Sequence, residues 1–103
     1  MKVIWDPKAK KNRSQVADYI RQKFGARRKI LFLQEVREVT KKLRTAPYIG
    51  KIDPLFEDRS KTYRSIIVNG LNKIVYFVED DIIYIAGFWD TRMNDEELAA
   101  NVE

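Results

Sequence analysis

Hydrophobic residues change their spacing along the chain, from a helical period in the first part to strand-like runs after residue 62. Residues 2–5 form a short apolar segment typical of a strand. Asp6-Pro7 then supplies an N-cap and a first-turn proline, so a helix begins there. Gly25 can close this helix in a left-handed conformation. The apolar stripe of the helix consists of Ala9, Val16, Ala17, Ile20 and Phe24.

A second helix follows and extends to about Arg44, with apolar residues at offsets of 0, 4, 7 and 11, which are Phe32, Val36, Val39 and Leu43. The two stripes predict a helical hairpin with basic outer faces. Pro47, Gly50 and Pro54 interrupt the pattern beyond it. They indicate an irregular connection of roughly 15 residues, a length that suggests a functional segment.

The pattern from Thr62 onward predicts an antiparallel meander of three strands. Asn69-Gly70 lies between two apolar runs, which is a strong hairpin signal. Residues 79–81 form a second turn, and 82–88 the third strand. The order β-α-α-β-β-β predicts a single α+β domain over residues 1–103, with one sheet and the helical hairpin on one face. Asn94, followed by three acidic residues, predicts a short C-terminal helix.

Alternation along the strands predicts which side chains share a face of the sheet. With a two-residue loop at Asn69-Gly70 and a two-residue second turn, three cations share the face away from the helices: Arg64, Lys73 and Arg92. The same face would hold Ile66, Val68, Leu71, Val75, Phe77, Tyr84, Ala86, Phe88 and Asp90. The helix-packed face would hold Tyr63, Ile67, Ile74, Tyr76, Val78, Ile83, Ile85 and Trp89. A bulge or a three-residue loop would break this inference.

Charge is divided unevenly along the chain. The net charge of +5 combines +11 over residues 1–64 with −6 over residues 65–103. A basic surface of this kind favours a polyanionic partner, most commonly nucleic acid, although solvated helices would show the same pattern. Arg92 and Lys73 are the two cations that follow residue 64.

Several classes of protein are disfavoured by composition. There is no cysteine, so we expect no disulfide and no thiolate metal site. We also expect no metal and no cofactor. The first residues lack the apolar core of a secretory signal, and the longest apolar run, 82–89, is too short to cross a bilayer. We therefore expect a cytoplasmic protein without membrane contact.

Three cations on one face of a sheet predict an anion site. Arginine offers fork-shaped donors to phosphate oxygens, and lysine offers a compact charge. Arg64, Lys73 and Arg92 are accordingly the candidate site residues. The same face would expose an unusually large apolar surface, which predicts that an acidic, apolar-studded partner segment covers it.

The ordered combination of these features resembles the RelE/ParE superfamily of bacterial type II toxins. The resemblance rests on KLRTAPYIGK after the second helix, on Tyr63-Arg64, on Lys73-Ile74-Val75-Tyr76 and on Asp90-Thr91-Arg92. It implies that residues 1–103 form one toxin domain. It also implies a cognate antitoxin as partner, and an antitoxin complex that binds operator DNA.

The resemblance leaves two mechanisms open. RelE-like members cleave mRNA in the ribosomal A site, and Arg64, Lys73 and Arg92 match the basic positions that hold the phosphate. ParE-like members lack the nuclease set and poison DNA gyrase as binding proteins. The chain departs from the nuclease pattern, because it has no histidine and no tyrosine near its C-terminus. We rank a ribosome-dependent endoribonuclease above a gyrase inhibitor, and both above a non-toxic nucleic-acid-binding module.

Overall fold

The fold is a five-stranded sheet with a helical hairpin packed on one face. The structure, a computed structural model, describes residues 1–91 and Val102. Its elements are β1 (Lys2–Trp5), α1 (Pro7–Phe24), α2 (Ala26–Thr45), β2 (Lys51–Ile52), a 3₁₀ turn (Pro54–Phe56), β3 (Arg64–Val68), β4 (Asn72–Glu79) and β5 (Ile82–Asp90). The strand order is β1-β5-β4-β3-β2, with β1 parallel to β5 and the other pairs antiparallel. The predicted α+β fold is confirmed, whereas β2 and the 3₁₀ turn were not predicted.

The predicted ends of α1 are confirmed in the structure. The Asp6 side chain accepts a hydrogen bond from the Lys8 N–H at 2.8 Å, and Pro7 is the first helical residue. Gly25 separates the two helices with φ of 93° and ψ of 171°, so its φ is positive as expected but its ψ is extended. Phe24, which was assigned to the apolar stripe, is 60% exposed.

The loop between β3 and β4 is one residue longer than predicted. Val68 pairs with Asn72, so the loop is Asn69–Leu71 and contains three residues. Asn69 and Gly70 both have positive φ, 57° and 68°, as the Asn-Gly signal requires. Since side chains alternate along a strand, the extra residue reverses the parity between β3 and β4. The prediction that Arg64 and Lys73 share a face is therefore wrong.

A β-bulge in β5 changes the parity a second time. The second turn has the predicted two residues, Asp80-Asp81. Val75 then pairs with Gly87 while Tyr76 pairs with Ile85, so Ala86 is the extra residue. Beyond the bulge the side chains exchange faces relative to the prediction.

Two hydrophobic clusters lie on opposite faces of the sheet. The helix-side cluster contains Ala9, Ala17, Phe32, Val36, Leu43, Val68, Ile74, Tyr76, Ile83, Ile85 and Phe88. The second cluster contains Phe56, Tyr63, Val75, Trp89 and Val102. The chain itself therefore buries apolar side chains on both faces, whereas the sequence analysis expected the apolar side chains on the face away from the helices to be exposed.

The predicted face assignments are corrected accordingly. Ile74, Tyr76, Val78, Ile83 and Ile85 pack on the helices as expected. Tyr63 and Trp89 instead belong to the second cluster, and Ile67 is 51% exposed. The apolar surface that was expected to be exposed is mostly internal: Val68, Val75 and Phe88 are buried, and Ile66 packs against the helix-side cluster.

Two further expectations concern the C-terminal tail and contact with a membrane. The predicted C-terminal helix from Asn94 lies outside the described residues. Within residues 1–91, neither helix is long and apolar enough to cross a membrane.

Candidate functional site

Lys73 lies on the face of the sheet that is opposite the helices, inside a small polar cluster. Its Nζ atom is 2.7 Å from the Oδ2 atom of Asp53, and it lies 5.8 Å from the centre of the Phe56 ring. Ser65 donates a hydrogen bond to the same Oδ2 atom at 2.9 Å. The other carboxylate oxygen accepts from the Leu55 N–H at 3.0 Å and so caps the 3₁₀ turn. Lys73 thus anchors the connection to the sheet.

The charge of Asp53 is stabilised although the residue is 7% exposed. Burial by itself raises the pKa of this carboxyl group. The hydrogen bonds from Lys73, Leu55 and Ser65, together with the Lys73 charge, outweigh burial, so the pKa of Asp53 lies below its ordinary value. The Asp53 carboxylate is therefore charged at neutral pH.

Arg64 lies on the helix side of the sheet, next to its pairing partner Tyr76. Its Nη1 atom donates to the carbonyl oxygens of Gly50 at 2.9 Å and Tyr48 at 3.3 Å. The guanidinium carbon lies 5.2 Å from the centre of the Tyr48 ring. Arg64 therefore holds the segment that follows α2, and its donors point at that segment's backbone.

Gly50 is locked against the buried end of Tyr76. The Gly50 N–H donates to the Tyr76 hydroxyl at 2.9 Å. A Cβ atom at position 50 would meet that hydroxyl at 2.7 Å and the Ser65 carbonyl oxygen at 2.9 Å, so only glycine fits this approach. Burial raises the pKa of Tyr76, while the Gly50 hydrogen bond and the Arg64 charge oppose the increase. At neutral pH the hydroxyl is protonated.

Residues 46–52, which we name the clamped segment, present apolar side chains to solvent. Tyr48, Ile49 and Ile52 are 61%, 50% and 57% exposed. Hydrogen bonds from Arg64 and to the Tyr76 hydroxyl hold the backbone of this segment against the sheet. A backbone held by these hydrogen bonds, with exposed apolar side chains, is suited to protein contact, since aromatic anchors of this type dominate binding energy at interfaces.

The three predicted site residues do not all come together. The structure separates Arg64 from Lys73 by the thickness of the sheet. Arg92 lies outside the described residues, so its catalytic role stays a prediction, as do those of the other two. The sequence analysis did not identify Asp53 or Tyr48 as candidate site residues. Asp53-Pro54 repeats the cap-and-proline signal of Asp6-Pro7 and could have indicated the 3₁₀ turn, but no local signal indicates the partner of Lys73.

A large cleft of about 1080 Å³ lies between the helices and the β3–β4 loop. Exposed apolar side chains line it: Tyr19, Phe24, Leu31 and Leu71. Its charged lining is mainly acidic: Glu35, Glu38 and Asp90, beside Arg28. We name it the large cleft. It is an apolar, mildly acidic surface and differs in character from a phosphate site.

Comparison with known proteins places the fold in a family. The chain is similar to a solved structure described as the chromosomal ParDE toxin–antitoxin system from P. aeruginosa, with a TM-score of 0.71, 18% identity, and coverage of 87% of this chain and 95% of that chain. No curated protein matches the chain. The family model of the ParE toxin of type II toxin–antitoxin systems, parDE, matches residues 3–95. Since that match spans most of the chain, this protein belongs to the ParE toxin family of type II toxin–antitoxin systems.

Proposed function

We propose that this toxin acts by binding DNA gyrase and not by cleaving mRNA. The observation that carries the proposal is the placement of Arg64 and Lys73 on opposite faces of the sheet. Stabilising a phosphorane requires donors that converge on one set of oxygens. Two cations separated by the sheet do not converge in this way, and Lys73 is already neutralised by Asp53. On this ground we rank a gyrase inhibitor above a ribosome-dependent endoribonuclease, which is the reverse of the order inferred from the sequence.

The clamped segment is the proposed contact with gyrase. Tyr48 combines a large exposed ring with a backbone that Arg64 holds in place, so little conformational entropy is lost when it binds. Ile49 and Ile52 extend the apolar surface beside it. In this proposal Arg64 is a positioning residue, whereas the endoribonuclease alternative makes it a catalytic one.

The cognate antitoxin is the second proposed partner. We propose that it covers the large cleft, because Tyr19, Leu31 and Leu71 are exposed there. This replaces the expectation that it covers a cation-bearing face, since the apolar residues of that face are mostly buried. Binding to operator DNA would then take place through the antitoxin complex. Gyrase and operator DNA are both cytoplasmic, and so is the proposed location.

A supercoiling assay with purified gyrase and relaxed plasmid tests the proposal. The wild-type toxin should inhibit supercoiling. Tyr48→Ala should require a roughly 30-fold higher concentration for half inhibition, which corresponds to the loss of about 2 kcal/mol at an interface anchor. Tyr19→Ala is the matched control, since Tyr19 is a similarly exposed tyrosine at 53% on a different surface. It should inhibit normally and bind antitoxin more weakly.

The same variants are induced in cells to test the alternative. Growth arrest with intact mRNA and a DNA-damage response supports gyrase as the target. Cleavage of mRNA in the ribosomal A site, with plasmid supercoiling unchanged, would overturn the proposal in favour of a ribosome-dependent endoribonuclease.

A further inference from the structure

The two helices are strongly basic, and the fold sorts their charges onto different flanks. Residues 7–45 contain 13 Lys and Arg against three Asp and Glu. Two of the three acidic residues, Glu35 and Glu38, line the large cleft. The third, Asp18, pairs with Lys29 at 3.4 Å. Within residues 7–45, every Lys and Arg except Arg28 lies outside the large cleft, and Asp18 is the one acidic residue there, so the surface outside that cleft carries a marked excess of positive charge. Binding of gyrase through the clamped segment does not account for this excess.

A smaller cleft of about 390 Å³ concentrates this charge between the helices. Its charged lining consists of Arg13, Lys29 and Arg37 together with Asp18, which pairs with Lys29, so the lining keeps an excess of positive charge. The hydroxyl-bearing residues Ser14 and Thr40 also line it. We name it the basic cleft. The Arg13 guanidinium is fixed over the Trp5 ring, 4.5 Å from its centre. Arg37 is exposed on the facing helix.

The apolar lining of the basic cleft offers little to a protein partner. Ala17 and Val36 are buried, and Leu33 is half-buried. The accessible surface is consequently polar with a net positive charge, and its lining contains no exposed aliphatic anchor. Guanidinium forks from two facing helices match the oxygens of a phosphodiester. A helix as long as α2 extends about 30 Å, or roughly nine base pairs along a duplex.

We propose that the basic cleft binds the phosphate backbone of duplex DNA. The toxin would then contact the DNA on which gyrase acts while its clamped segment contacts the enzyme. The choice of DNA over RNA rests on the proposed function, whereas the assignment of a phosphate-binding flank rests on the charges and geometry alone.

The test measures binding of a fluorescently labelled DNA duplex by the full chain between about 50 and 200 mM salt, where phosphate contacts dominate the salt dependence. Arg37→Gln should weaken binding and lower the slope of log K against log salt by about one, and Arg13→Gln with Arg37→Gln by about two. Arg28→Gln is the matched control, because Arg28 lies on the same helix as Arg37 but lines the large cleft. It should leave the slope unchanged.

Arg13 also packs on Trp5, so a loss of folding in its Gln variant is checked by circular dichroism. Arg13→Lys keeps the charge and should keep the slope. Equal losses in Arg28→Gln and Arg37→Gln would overturn the proposal, since binding would then depend on total charge. Tighter binding of an RNA duplex of the same sequence would overturn the assignment to DNA.

Binding to purified gyrase subunits without DNA separates this proposal from the preceding one. A toxin that binds the subunits but has no affinity for the duplex supports only the gyrase proposal and refutes the DNA contact. A toxin that binds the duplex through Arg13 and Arg37 but not the subunits leaves the basic cleft established and refutes gyrase as the target.

Discussion

The ammonium group of Lys73 and the carboxylate of Asp53 form an ion pair on the face opposite the helices, with Nζ and Oδ2 2.7 Å apart. The side chains of the two residues are 17% and 8% exposed. The pair joins β4 to the 3₁₀ turn that follows Asp53, beside the rings of the second cluster. A residue that the family resemblance assigned to catalysis thus has a clear structural partner.

Removing one member of this pair should be more harmful than neutralising both. Lys73→Ala leaves the Asp53 carboxylate buried without its partner, and should lower the free energy of unfolding by about 3 kcal/mol. The double variant Asp53→Asn with Lys73→Met removes both charges at similar volume and should recover much of that loss. Urea denaturation measures both. If Lys73 is structural, the folded double variant should still arrest growth. Loss of toxicity in a stable double variant would indicate that Lys73 takes part in chemistry.

The lowered pKa of Asp53 predicts a loss of stability in acid. The folded-state pKa lies below the unfolded-state value of about 3.9, so the stabilisation is fully present above that value. It is lost as pH falls through the folded-state pKa, where the carboxylate takes up a proton. The urea midpoint should therefore drop below about pH 4, and Asp53→Asn should flatten the drop. Asp18→Asn removes an exposed carboxylate and serves as the control. If the urea midpoints of both variants fall equally in acid, the prediction is contradicted.

Gly50→Ala should destabilise the protein and release the clamped segment. The added Cβ would lie 2.7 Å from the Tyr76 hydroxyl and 2.9 Å from a backbone carbonyl of β3, which does not give way easily. We expect a loss of about 1–3 kcal/mol, typical of overpacking. Gyrase inhibition should weaken as Tyr48 loses its fixed position. Thermal denaturation measures the first effect, and an unchanged melting temperature would show that the segment is not anchored at Tyr76.

Local signals were sufficient for the helical half of the fold. Asp6 and Pro7 fix the start of α1, and Gly25 fixes its end, because capping groups act within one turn of the residue that carries them. The 46–62 connection was only recognised as irregular. Its short strand β2 depends on pairing with β3, and Asp53 depends on a lysine 20 residues away. Neither partner can be identified from neighbouring residues.

By itself the sequence determined where β1, β3, β4 and β5 and the turns between the last three strands occur, since apolar runs and the Asn69-Gly70 signal are local. Only the tertiary structure decided which face each strand residue occupies. A single extra residue in the β3–β4 loop separates Arg64 from Lys73, and the bulge at Ala86 exchanges Phe88 and Trp89. Phe88 then packs against helix α2, and Trp89 packs in the second cluster. Because side chains alternate with a period of two, burial on two layers selects the register, and no short-range pattern encodes it.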